Sequence, residues 1–463
     1  MPETLDTRPA DAAPAAQAAP EARPSPSGST WRHRGALAAA YKALYVATGR
    51  FTAGLSEAQL KADIFEGAPM GKIVDGMTAQ IDDAAKTVSV SYADDMPPRI
   101  AAWRPVLGAT QLPIGATAEA VKHLPNLPAD VRPPSMDDLD WPNGDRNATA
   151  PGSARLEAVV EAAFEPGKYG GVTWGVAVLK GGKILSERYG RGYDMHTPQR
   201  TNSAAKSVAA TVVGAAVKQG LLDIHARPVL PEWSRPGDPR GQITLNDLLH
   251  MASGLYTEAA GNPQQELYFG GAAAAERSAL NIMDSPPGAR WVYSGSDTIL
   301  AIRALRAALG DDARHLRFPF EEVLWKIGMT RTVLEVDWNG DFLMSGDMWS
   351  TVRDMARFAL LYAGGGVWNG ERILPEDWPA YVATPAPAQP SYPDGRGYGA
   401  QFWLFGPGQG LPEGCYTAAG ARGQYAMIVP EHDLIVVRRG FDLEPGFKLA
   451  KFVADVIEAV KAP

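Results

Sequence analysis

From Ala204 to Val217 the chain is small or apolar at almost every position, with Ala204, Ala205, Val208, Ala209, Val212, Val213, Ala216 and Val217 spread all the way round a helix. A helix apolar on every side is a buried one. Thr201, Asn202 and Ser203 offer capping side chains ahead of it, and Gly220 stands after Lys218 and Gln219 where a C′ residue belongs. Elsewhere the period changes. Residues 31–51 (WRHRGALAAAYKALYVATGRF) carry basic residues before an apolar run that Lys42 interrupts, which predicts a short amphipathic helix and not a membrane span. Between Ile73 and Leu112 apolar and polar residues alternate, predicting a small β unit.

Further along, Arg155–Phe164 reads as a short helix, and Val172–Leu179 and Lys183–Tyr189 read as strands joined at Gly181-Gly182, a dipeptide suited to a type I′ hairpin. Near the other end, Gln424–Val429 and Leu434–Arg439 are again strands, followed by an amphipathic helix over Phe447–Lys461. Strand pairs at both ends of a long helical middle predict an α+β fold. Its antiparallel β-sheet is flanked by helices and accompanied by a mainly helical subdomain over roughly residues 200–390, with the small N-terminal β unit beside it.

Composition adjusts this picture at the edges. Residues 1–30 are rich in Ala and Pro with almost no large apolar side chain, which predicts a disordered tail. Residues 116–152, dense in Pro and Asp, read as an extended connector between a helix-plus-β unit over 31–115 and a main domain over 153–463. The formal net charge of −8 without a basic run argues against nucleic acid as a partner and against a firm membrane anchor. One cysteine, Cys415, excludes an internal disulfide. The seven histidines show no metal-ligand spacing, so no metal and no organic cofactor are expected. The cytoplasm is the expected compartment, with export to the periplasm by an unusual leader as the alternative.

Three stretches carry candidate chemistry. Ser203 and Lys206 stand at i and i+3, so they share a helix face, and a lysine entering an apolar helix loses hydration and with it basicity. Ser-x-x-Lys alone is a common accident, and such pairs usually lie on wet faces; here their neighbours are Ala and Val. Tyr293 lies in WVYSGSD, a loop ahead of a helix expected over Thr298–Leu309, where a phenol can move a proton or simply pack. Ala418–Gln424 is a small-residue run leading into a strand, either a plain junction or a place where backbone N–H groups meet an oxyanion. A loose glycine fingerprint at Gly395–Ala400 follows a Pro-rich loop and precedes an aromatic run, which fits loop chemistry and not a dinucleotide site.

In this order, Ser203-Ala-Ala-Lys206, Tyr293-Ser-Gly295 and Ala418-Ala419-Gly420 resemble the motifs of the serine β-lactamase and penicillin-binding-protein superfamily. The likeness is greatest to its class C-like branch of family VIII esterases and 6-aminohexanoate-dimer hydrolases, and it runs over about residues 155–460. LNDLLHMASGLY, STVRDMARFALLYAGGG and YAMIVPEHDLIVVRRG are similar too. The resemblance implies Ser203 as the acylated nucleophile, Lys206 as its base or relay and Tyr293 as a second proton carrier. It also implies backbone N–H groups of Ser203 and Ala421 as the oxyanion hole, with Gly295, Gly420, Arg422 and Gln424 on the substrate side. Gly295 stands where the β-lactamases have an amide side chain, and Ala418 where a cation or histidine is usual. Arg422 is then a candidate replacement cation. The expected activity is hydrolysis of small esters or amides ahead of β-lactams. The alternatives are a β-lactamase or D-Ala-D-Ala peptidase, and a penicillin-binding-like sensor that does not turn over.

Overall fold

The computed structural model describes residues 29–461 except Pro69, Pro228, residues 258–263 and Pro445. Apart from Ser29 and Thr30, which already belong to the first helix, the expected tail over residues 1–30 lies outside the described residues.

Among the described residues the largest sheet has seven antiparallel strands, ordered Gly397–Tyr398, Trp403–Phe405, Cys415–Gly420, Gln424–Val429, Leu434–Gly440, Thr173–Lys180 and Lys183–Tyr189. Both chain ends build it. Alternate residues face opposite layers, as a period of two requires. Val176, Val178 and Val436 pack under helices Ala154–Ala162 and Leu449–Lys461. Ala177, Leu179 and Val437 face the helical side, which includes Val352–Ala363. The hairpin between the first two of these strands in sequence turns at Gly181 (φ 55°) and Gly182 (φ 76°), the two left-handed residues a type I′ turn needs.

The Ala/Val helix runs over Ala205–Lys218 and is buried from Ala205 to Ala216. Its start differs from expectation. Ser203 lies in a 3-10 turn, Asn202–Ala204, and no side chain caps the helix. The Thr201 hydroxyl instead donates to Met348 O at 2.9 Å, and the Asn202 amide donates to Ala421 O at 2.8 Å. Two of the three side chains expected as caps are spent on tertiary contacts. Gly220, at φ 72°, ends the helix as read.

The first helix departs further from its sequence pattern. It extends over Ser29–Phe51, and from Ala36 to Gly49 every residue but Lys42 is buried. It is therefore not the short amphipathic helix expected. Lys42 misleads the eye because its ammonium donates to Val74 O (3.0 Å) and Met77 O (2.5 Å), carbonyls the sequence cannot place beside it. The helix packs on a four-stranded antiparallel sheet of Ala79–Asp82, Thr87–Val90, Arg99–Arg104 and Gly108–Gln111. The same hydrophobic cluster contains Trp174, Trp349 and Phe441. Residues 116–152 hold two 3-10 turns and are pinned by Trp141, which donates to Gly182 O at 2.8 Å, and by Arg357, which donates to Pro142 O and Gly144 O at 2.7 Å each. No helix among the described residues is long and apolar enough to cross a membrane.

Because Leu44 is 2% exposed inside that shared cluster, Leu44→Ala is expected to lose about 2–5 kcal/mol of stability. Urea unfolding of the full chain measures it, and a loss below about 1 kcal/mol would show that the helix is not part of the core.

Candidate active site

Gly420 sets how closely two elements approach. A Cβ at this position would lie 2.1 Å from Thr201 O and 3.0 Å from the backbone nitrogens of Ser203 and Ala204. Only a residue without one lets the strand Cys415–Gly420 lie against the turn that carries Ser203. The run 418–420 is thus part of a strand and not a loop leading into one, and the chain turns at 421–423 into Gln424–Val429, with Gly420 paired to Gln424. Ala421 follows directly, its carbonyl held by Asn202. Asn202 sits at φ 47°, in the left-handed region that asparagine tolerates better than most residues.

Lys206 is buried, 1% exposed, at the second residue of the helix. Its ammonium donates to Ser345 O and lies 5.0 Å from the centre of the Tyr293 ring. Burial pushes its pKa down to about 7, against the opposing pull of the Asp347 and Asp297 carboxylates. Burial holds the Tyr293 phenol above the usual range, against a smaller opposing pull from the Ser203 side chain beside it. Ser203, Lys206 and Tyr293 are therefore brought together. Ser203 and Tyr293 remain partly accessible.

The loop carrying Tyr293 is fixed at both sides. Val292 N donates to Met251 O at 3.0 Å, and Ser294 caps the helix Gly295–Leu309 by accepting from Asp297 N at 3.2 Å. Gly295 is buried as the first residue of that helix, which begins three residues earlier than expected. Around the Tyr293 ring stand Trp403 at 5.6 Å, Trp291 at 6.0 Å and Tyr398 at 6.0 Å between centroids, forming an aromatic wall. Gly397–Tyr398, expected as loop, is a short edge strand in that wall.

The remaining candidates are placed differently. Gln424 is 1% exposed, and its amide is spent on structure: Nε2 donates to Gly440 O at 2.5 Å and Oε1 accepts from Arg439 Nε at 2.8 Å. Arg422 does not stand free as a cation. Its two terminal nitrogens donate to Glu66 O (2.9 Å) and Gly67 O (2.7 Å), and its guanidinium lies 4.6 Å from the Phe441 ring centre. Ala418 is wholly buried in the main core.

Two residues that sequence reading passed over hold the site together. Arg439 donates to Ser350 O, Gln199 O and Arg200 O at 2.8–2.9 Å, tying the sheet to the segment ahead of Ser203. Gln401 accepts from Ser207 through its carbonyl (2.6 Å) and from Thr298 through its side chain (2.8 Å), and it donates to Leu249 O at 2.8 Å. Their partners are some 90 to 240 residues distant in sequence, so no local pattern marks them. Asp137, Asp145 and His196 come within 4.8 Å of one another. Asp145 already pairs with Arg353 (3.2 Å) and Arg357 (2.8 Å), and Asp137 with Arg331 (2.5 Å), so both carboxylates are already engaged by guanidinium groups.

Gly420→Ala is expected to push the strand off the Ser203 turn and lower kcat/KM by roughly two orders of magnitude, the usual result of a misplacement near 1 Å. Steady-state kinetics on a p-nitrophenyl ester measures this, and parental kinetics would show that the close approach does not matter.

The sequence pattern of the family described as beta-lactamase matches residues 156–438. A 6-aminohexanoate-dimer hydrolase of Paenarthrobacter ureafaciens is 25% identical over 300 residues, covering 56% of this chain and 70% of that protein. Among solved structures, a family VIII carboxylesterase superposes with a TM-score of 0.54 at 18% identity, over 68% of this chain and 99% of its own. EstCE1, described as a hydrolase with promiscuous acyltransferase activity, gives 0.54 at 15% identity over 66% and 98%. At such identities the structures speak for the fold alone. The family pattern, which covers more than half of the chain, says more: this protein belongs to the beta-lactamase family, with the serine-hydrolase-like function of that family in general terms.

Proposed function

We propose that this protein hydrolyses small esters, and amides less readily, through an acyl-enzyme on Ser203. The observation that carries the reading is the convergence of Ser203, Tyr293 and a lysine whose pKa is pushed down to about 7. Near neutral pH a good fraction of Lys206 is unprotonated and can accept the Ser203 proton. The Tyr293 phenol, held above its usual range, keeps its proton and can give it away. In the first step Ser203 Oγ attacks the carbonyl carbon as its proton moves to Lys206 Nζ. The oxyanion forms against the backbone N–H groups of Ser203 and Ala421. The bond to the leaving group then breaks, and Tyr293 protonates the departing oxygen or nitrogen. Water then attacks the acyl carbon as its proton passes to the Tyr293 phenolate, and the Lys206 ammonium returns a proton to Ser203 Oγ as the acid departs, which restores all three side chains.

Substrate charge follows from what surrounds the site. Arg422 is spent on Glu66 O and Gly67 O, and Ala418 offers no cation, so neither is free to pair with the carboxylate of a β-lactam. The half-buried rings of Trp291 and Trp403, backed by the buried Tyr398, suit an apolar leaving or acyl group. A neutral, partly aromatic ester fits better than an anionic ring amide.

Three measurements test this. A fluorophosphonate probe is expected to label Ser203, and Ser203→Ala is expected to fold normally while losing several orders of magnitude in kcat; parental turnover in that variant would move the nucleophile elsewhere. Short-chain p-nitrophenyl esters are expected to exceed nitrocefin in kcat/KM, and the reverse preference would sink the esterase reading. The pH dependence has a definite sign. Below about 7 Lys206 is an ammonium and cannot accept a proton, so kcat/KM on a neutral ester is expected to rise with pH through a midpoint near 7. A profile flat between about pH 5 and 8 rules out Lys206 as the acceptor.

A further inference from the structure

Behind Lys206 lies a buried polar chain that ends on the first helix. Asp347, 1% exposed, accepts a hydrogen bond from the Tyr45 hydroxyl at 3.1 Å. The same hydroxyl accepts from Arg200 Nη2, and the Arg200 guanidinium carbon lies 3.9 Å from the centre of the Tyr45 ring. One helical turn further on, Thr48 donates to Glu335 Oε1 at 2.6 Å, where Ala109 N of the N-terminal sheet also donates at 3.1 Å. Residues of the N-terminal unit thus meet Arg200, which stands three residues before Ser203, and Asp347, which stands two residues after the carbonyl that receives Lys206. Those are the groups that fix charge at the site.

We propose that the N-terminal helix completes the acyl-transfer site, with Tyr45 as a positioning residue that holds Arg200 and Asp347 and, through Asp347, sets the charge felt by Lys206. This rests on the reading of Ser203 and Lys206 given above. The groups facing Lys206 are the carboxylates of Asp347 and Asp297, the Tyr293 ring and the Ser345 carbonyl, whose residue also bonds Tyr268 through its hydroxyl. Asp347 in turn faces Arg200, Tyr45 and Glu335. Arg200 and the Tyr45 hydroxyl both favour the ionised Asp347 against the cost of its burial. An ionised Asp347 favours the ammonium form of Lys206. Removing that anion therefore lets the Lys206 pKa fall further, and removing the Tyr45 hydroxyl acts the same way by a smaller amount.

The test uses the full chain with Asp347→Asn, Tyr45→Phe and, as a control, Leu44→Ala, which damages the same helix without touching the polar chain. Active enzyme is counted by fluorophosphonate titration, and kcat/KM on a p-nitrophenyl ester is followed against pH. Asp347→Asn is expected to move the midpoint near 7 downward by roughly one pH unit. Tyr45→Phe is expected to move it less and in the same direction, with kcat lowered and KM little changed. Leu44→Ala is expected to lower the melting temperature and leave the midpoint in place. A parental midpoint and kcat in Tyr45→Phe overturns the proposal, and so does an equal shift in Leu44→Ala. Tyr45→Phe differs by one oxygen, so the test stands even where Asp347→Asn does not fold. Failure of the underlying reading looks different: Ser203→Ala would then still turn over ester, whatever the Tyr45 variant does.

Discussion

An ammonium with almost no water around it is the constraint that the rest of the site answers to. Lys206 sits in a helix lined with Ala and Val, and an isolated charge in such surroundings costs several kcal/mol. The protein meets this in two ways. It lets the pKa fall, so that the neutral form is within reach near pH 7, and it supplies the Ser345 carbonyl, the Tyr293 ring and two carboxylates for the charged form. Each answer creates a further demand. Asp347 is itself buried and needs a cation, Arg200 is half-buried in answering it, and Tyr45 serves both. The chain of compensation closes only on the first helix.

Around that charged line the backbone is held by groups that do no chemistry in the proposed reaction. Gly420 permits the approach of strand to turn, and Arg439 locks the approach by donating to three carbonyls on the segments that flank it. Gln401 joins the Lys206 helix, the Tyr293 helix and the carbonyl end of Leu245–Leu249. A hydroxyl and a phenol on separate elements stay beside each other only if those elements cannot slide, and these buried polar contacts are what stops them.

Much of this architecture was legible in the chain because it rests on local patterns. The all-round apolar run 204–217, the Gly181-Gly182 hairpin and the alternating strands at both ends gave the α+β plan, and three short motifs in order marked Ser203, Lys206 and Tyr293. The rest depends on long-range partners. Thr201 and Asn202 look like caps, and only Met348 and Ala421, far off in sequence, draw them away. Lys42 makes the first helix look amphipathic until Val74 and Met77 are seen to receive it. Gln424 and Arg422 look like substrate ligands for the same reason, since a polar side chain near a site reads identically whether it faces substrate or is engaged by Arg439, or by the backbone of Glu66 and Gly67.

The engagement of Arg422 bears on what the site can accept. A guanidinium held by two carbonyls and stacked on Phe441 gives up those contacts if it swings toward a ligand, and the Glu66–Gly67 segment would lose its tie to the sheet. Hydrogen bonds to a charged group are worth about 1.5–3 kcal/mol each, so releasing both would offset much of what a new carboxylate contact could supply. With Ala418 buried and uncharged, the proposed substrate side offers backbone donors and aromatic faces, with the Arg396 guanidinium 5.0 Å from the Trp403 ring centre. Backbone N–H groups favour a developing oxyanion on any acyl carbon, and aromatic faces favour apolar groups, so the proposed reaction would discriminate by shape and apolar contact more than by pairing with Arg422.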